Sequence, residues 1–178
     1  MEQVISFSDS DLKDVQLPYN DPLVVTLRIG NYDVERILID QGSFAKVMYQ
    51  DLYTKLGIGE AEVFSFMSPI FGFSREPVVP LGKVILPVLA GPVNLQTEFI
   101  IINASSPYKA IMGRDWLHRM RAIPSTLHQK LRFPKRRGHR AKWGSGHSKT
   151  MCFDLGQTER YQRERKTQRL MTITVLRT

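Results

Sequence analysis

The stretch Ile37-Leu38-Ile39-Asp40-Gln41-Gly42-Ser43 constrains this chain more than any other part of it. Three apolar residues in a row read as the end of a strand bound for a core, and an acid follows them directly. A carboxylate at the end of a buried strand is costly unless it is hydrogen-bonded or has a chemical task. A glycine two residues later lets the backbone approach that carboxylate and offer an N–H with no Cβ in the way. A hydroxyl at the next position is placed to hydrogen-bond the acid's outer oxygen. Taken alone, Asp-x-Gly is also an ordinary type I turn with an acid at its start, so the rest of the chain has to decide between the two.

Residues 1–16 are polar and acidic (Asp9, Asp11, Asp14) and read as a weakly ordered N-terminal arm. Asn20-Asp21-Pro22 is a turn signal. Leu23–Ile29 and Tyr32–Ile39 are β-rich runs on either side of Gly30-Asn31, which predicts a hairpin. Val47–Leu56 has apolar positions at helical spacing and stops at Gly57, which predicts a short helix. Strand-like segments follow around Ser68–Phe73, Val78–Val88 and Leu95–Asn103, separated by turns at 74–77, 80–82 and 90–92. Ala110–Gly113 reads as a short buried strand that feeds a helix beginning near Arg114. Short strands with few helices predict a small all-β domain, barrel-like or sandwich-like, rather than a parallel α/β sheet.

Several ordered motifs resemble the retropepsins, and most closely the protease segment of plant Ty3-type retrotransposon Gag-Pol polyproteins. They are Asn20-Asp21-Pro22-Leu23, the hairpin with Gly30, Ile39 to Ser43, and Val47-Met48-Tyr49. Phe71-Gly72-Phe73, Val79-Pro80-Leu81-Gly82, Ser106-Pro107-Tyr108, Ile111-Met112-Gly113-Arg114 and Ser125–Lys130 continue the series in order, and Gly113 lies 73 residues beyond Asp40. The resemblance implies a closed barrel-like retropepsin subunit over 17–134, with one or two short helices; it stops near Phe133-Pro134, and residues 135–178 read as a basic, disordered C-terminal tail. The resemblance also implies an aspartic endopeptidase in which Asp40 is the catalytic acid/base, Gly42 permits close approach and Ser43 bonds the carboxylate. Phe71, Gly72, Phe73, Ser74 and Arg75 would belong to a flap over the substrate. Ile111, Met112 and Gly113 would form the strand behind the catalytic turn, with Arg114 starting the helix.

The chain also departs from that pattern. Gln41 stands where the family has a Thr or Ser whose hydroxyl bridges two subunits, and Arg75 stands where a second flap glycine is usual. The acid that commonly pairs with the helix arginine has no counterpart, since Phe44-Ala45-Lys46 follows Ser43. A single-chain enzyme would need a second Asp-x-Gly. Asp154-Leu155-Gly156 matches in letters, but no apolar strand precedes it. Activity therefore implies a homodimer with one site built from two copies.

The charge supports a division at Pro134. Residues 1–134 carry 13 Lys+Arg against 14 Asp+Glu, while 135–178 carry 12 against 3, which accounts for the whole excess of +8. The tail's Arg136, Arg137, Arg140 and Lys142 beside Trp143 make weak nucleic-acid contact by residues 135–169 the rival reading. A retropepsin fold kept as a catalytically dead dimerisation or interaction module is a second rival. A shifted reading frame or a degraded element copy would also account for the unusual tail. No apolar run long enough to span a membrane appears, and the N-terminus lacks a signal pattern, so a cytoplasmic protein is expected. Single Cys152 excludes an internal disulfide. The four histidines have no Cys or acid at ligand spacing, so neither metal nor cofactor is expected. The expected partners are a second copy of the chain and a peptide or polyprotein substrate.

Overall fold

The computed structural model describes residues 4–13, 15, 20–72 and 76–134, together with the backbone of 150–154. β1 (Val24–Ile29) and β2 (Tyr32–Ile39) form the predicted hairpin, with Gly30 at φ +58° in its turn. β3 (Val47–Tyr49) runs into α1 (Gln50–Lys55), and β4 (Ile70–Phe71) pairs with β5 (Pro77–Val78) as a short ribbon. β6 (Gly82–Ala90) and β7 (Val93–Ile102) make a long hairpin, and β8 (Ala110–Met112) leads into α2 (Arg114–Met120). β9 (Ile123–Ser125), β10 (Lys130–Pro134) and β11 (Thr150–Asp154) complete the order.

Six strands close into a barrel in the order β1-β2-β8-β3-β7-β6. β8 lies parallel to β2 and antiparallel to β3, and β3 is parallel to β7. The all-β expectation holds: a closed barrel and two short α-helices form the frame. Its core gathers Leu27, Ile29, Ile37, Met48, Val84, Phe99, Ile101 and Met112, with Trp116 and Leu117 of α2 packed against them. Each such side chain contributes about 1.5–3 kcal/mol on burial. No helix among the described residues is long and apolar enough to cross a membrane.

One irregularity sets the phase of the strand that carries Asp40. Val25 faces Ile37 while Leu27 faces Val34, so a step of two on β1 spans a step of three on β2. Arg36 takes up the extra residue in the left-handed region, at φ +63°. Strict alternation would put Val34 and Ile37 on opposite faces. The bulge brings Val34, Ile37 and Ile39 all into the core, and re-aims the end of the strand.

The helical spacing over Val47–Leu56 is kept only from Gln50 onward, because Val47–Tyr49 are strand. Helix propensity distinguishes ordinary residues by less than about 0.7 kcal/mol each. Burying Val47 and Met48 contributes about 1.5–3 kcal/mol apiece, with ladder bonds to both β7 and β8 besides. Tertiary packing therefore wins over local pattern.

The N-terminal arm is engaged more closely than its composition implies. Asp11 is 8% exposed. Its Oδ2 accepts Ser8 N–H at 2.9 Å, and its Oδ1 meets Lys130 Nζ at 3.3 Å and the Arg132 guanidinium. Phe7 stacks on His128 with centroids 5.1 Å apart, and Arg132 covers the Phe7 ring at 4.9 Å. Burial opposes ionisation of Asp11, but the Ser8 N–H, Lys130 and Arg132 outweigh it and hold the carboxyl below the usual carboxylate range. Stability from a depressed acid is present above its unfolded pKa, about 3.9, and is lost as pH falls through the lower folded value. Asp11→Asn is thus expected to lower urea-unfolding stability by about 2 kcal/mol at pH 7, with the gap closing in strong acid. A gap that is unchanged under strong acid rules out the ionic explanation.

β11 lies in the basic tail, where the sequence shows no periodicity, and pairs along β10 from Lys130↔Asp154 to Pro134↔Thr150. The remainder of the tail lies outside the described residues, as do Phe73, Ser74 and Arg75.

Candidate active site

Asp40 follows the last residue of β2. Its N–H donates to Met112 O over 3.0 Å, continuing the parallel ladder in which Ile39 faces Met112. The turn closes through Ser43 N–H to Asp40 O at 3.3 Å. Gly42 N–H donates to Asp40 Oδ1 at 2.9 Å, and a Cβ on Gly42 would stand 3.2 Å from that oxygen. Glycine therefore keeps donor and acceptor at bonding distance without crowding. Asp40 is half-buried, whereas Gln41 and Gly42 are exposed. A carboxylate held by a backbone donor yet still partly open can exchange a proton with a group outside its own chain.

Ser43 has a different partner from the one expected. Its hydroxyl donates to Ala45 O at 3.1 Å, not to the Asp40 carboxylate. The chain bends here to enter β3, which brings the carbonyl two residues on within reach of the side chain, a common local competition for Ser hydroxyls.

The turn rests on the start of α2. Arg114 N–H donates to Ser43 O at 2.7 Å. Gly113, the helix N-cap, is buried, and a Cβ there would lie 2.6 Å from Ser43 O and closer still to Ala45 O. Two backbone segments thus touch where no side chain fits. Lys46 Nζ reaches Asp115 Oδ2 at 2.5 Å across the same junction. The hydrogen bond from Lys46 holds the Asp115 carboxyl below the usual range against partial burial, with Lys46, Arg119 and His118 adding their charge.

Of the expected flap, Phe71 and Gly72 are exposed at the β4–β5 ribbon, in which Ile70 faces Val78 and Phe71 faces Pro77. Phe64 and Lys83 exchange two N–H···O bonds of 2.8 Å on the chain flanking the ribbon. The Lys83 ammonium also lies 4.1 Å from the Phe66 ring centroid and 3.0 Å from Glu98. Among the described residues, no three His, Cys, Asp or Glu side chains converge as a metal site would require.

No family model and no curated protein matches this sequence. Among solved structures, EIAV protease complexed with the inhibitor HBY-793 superimposes at a TM-score of 0.51 and 17% identity, covering 62% of this chain and 99% of that one. This is the retropepsin fold. Two further similar structures are the retroviral protease-like domain of Ddi1 from Leishmania major and a retropepsin-like aspartic protease from Rickettsia conorii. The first has a TM-score of 0.48 at 18% identity, covering 63% of this chain and 86% of that one. The second has 0.43 at 11%, covering 57% and 75%.

On this retropepsin fold, Ile111 and Met112 occupy β8 beside β2, while Gly113 caps α2 and Arg114 begins it under the Asp40 turn. Gln41 is exposed next to Asp40, and Arg114 is exposed at the helix start. An ion pair between loop and helix is nevertheless present, with the cation on the loop and the acid on the helix. Lys46 and Asp115 are 69 positions apart, so no local motif announces them. The available hint is one of complementarity: a lone Lys closing the loop, and an acid beside Arg114.

Proposed function

We propose that this chain is one subunit of a homodimeric aspartic endopeptidase of retropepsin type, to which each copy contributes Asp40. The observation that carries the reading is the Asp40 turn, a half-exposed carboxylate at the end of a barrel strand that accepts Gly42 N–H at 2.9 Å. One such carboxylate is half of a site. Two turns meeting about a twofold axis would share one proton, because like charges that close do not both ionise. One carboxylate then takes a proton from water as it attacks the peptide carbonyl, and the other protonates the carbonyl oxygen. Collapse of the resulting diol breaks the C–N bond, with a proton delivered to the amine. The titration belongs to the pair and not to either residue. The β4–β5 ribbon is suited to cover an extended peptide and exclude water.

The family resemblance extends this reading to a retroelement polyprotein as natural substrate, cleaved in the cytoplasm. Residues 135–169 would add weak, salt-dependent contact with nucleic acid. The deciding experiment follows peptide cleavage by the full chain between pH 4 and 7 over a dilution series. In the dilute limit, activity per mole of chain is expected to fall in proportion to concentration, since two copies make one site. Activity per mole that stays constant on dilution excludes the shared site. A folded chain that cleaves nothing at high concentration excludes the enzyme altogether.

A further inference from the structure

The segment that carries Asp40 is held at both ends by strands. Asp40 N–H bonds Met112 O at one end, and Lys46 O accepts Ile100 N–H at 2.8 Å at the other. Between those ends it leans on α2 through the Ser43–Arg114 backbone bond and the close passage of Gly113. These contacts fix the separation of turn and helix. α2 is itself anchored in the core by Trp116, Leu117 and Met120, so a second point of attachment further along both segments would tie the loop after the turn to a fixed helix.

Lys46 and Asp115 supply that point. We propose that this ion pair is a positioning device for the Asp40 turn, in which Asp115 matters more than Lys46; the proposal rests on peptide hydrolysis at Asp40. The asymmetry follows from exposure. The Lys46 side chain is 15% exposed and that of Asp115 40%. Without Asp115, a largely buried ammonium loses its counter-charge and must move to reach water, taking the loop with it. Without Lys46, a carboxylate already in contact with water remains, with His118 and Arg119 near it on the same helix.

The test uses the full chain with Asp115→Asn, Lys46→Met and the exchanged pair Lys46→Glu/Asp115→Lys. Two readouts are taken: amide exchange at Gly42 against that at Phe99, and kcat and KM on a cleaved peptide. Asp115→Asn is expected to speed Gly42 exchange and lower kcat by about tenfold or more, with KM and the Phe99 amide unchanged. Lys46→Met, which leaves no buried charge, gives a smaller loss of the same kind and carries the test if Asp115→Asn unfolds. The exchanged pair restores both readouts. Gly42 exchange and kcat close to the parent's in the folded single variants overturn the proposal, as does a folded exchanged pair that restores neither. If the parent cleaves no peptide, the proposed function fails, while Gly42 exchange still decides whether the pair positions the turn.

Discussion

Asp40→Asn is expected to leave the fold in place and to remove the proposed peptide cleavage. The amide oxygen of Asn still accepts the Gly42 N–H that now reaches Oδ1 over 2.9 Å, and the position is half-buried. Melting is therefore expected to change by no more than about 0.5 kcal/mol. The chemistry has no such tolerance. An amide neither takes a proton from water nor passes one on, and general acid–base catalysis alone is worth about 10²–10⁴-fold. Cleavage should fall by about 10³-fold or more. The loss should also spread: parent chain mixed with excess variant forms dimers with one carboxylate, so its activity falls as the variant is added. A folded variant that retains a tenth of the parent's activity assigns the chemistry to another residue.

Gly113→Ala is the second large effect, and its cause is purely steric. Gly113 has φ −85°, a conformation that alanine adopts freely. The added methyl would lie 2.6 Å from Ser43 O and nearer still to Ala45 O, and backbone carbonyls cannot swing away as a flexible side chain does. Overpacking of this kind costs about 3 kcal/mol, the upper end of the usual range. The same shift displaces the Asp40 turn, so the folded fraction should lose about 10²-fold in activity. Gly59→Ala is the control, since its Cβ would meet nothing within 4 Å. Equal urea midpoints for the two variants refute the close-packing account.

What was legible in the sequence is what local chemistry encodes. The hairpin of β1 and β2 followed from two β-rich runs about Gly30-Asn31, and the Asp40 turn followed from four consecutive residues. Features that depend on distant partners were not legible. Val47 and Met48 look helical until β7 and β8 are placed on either side of them. Asp11 looks like part of a loose acidic arm until Lys130, 119 positions away, comes to meet it. The spacing lets Ser43 reach the carboxylate, yet the bend toward β3 puts the Ala45 carbonyl in competition. The left-handed Arg36 gave no sign at all, since glycine is the residue that usually marks such a position.

Closure of the barrel also limits how molecules of this chain can join one another wrongly. Each of the six barrel strands has a neighbour on both sides, so part of its row of N–H and C=O groups is taken up on either side and less of it is left to template strand-by-strand growth. Outside the barrel, the edge strands β9 and β11 and the β4–β5 ribbon are all of five residues or fewer. High local concentration, which the proposed two-copy site would need, therefore carries less risk of fibre formation than it would for an open sheet.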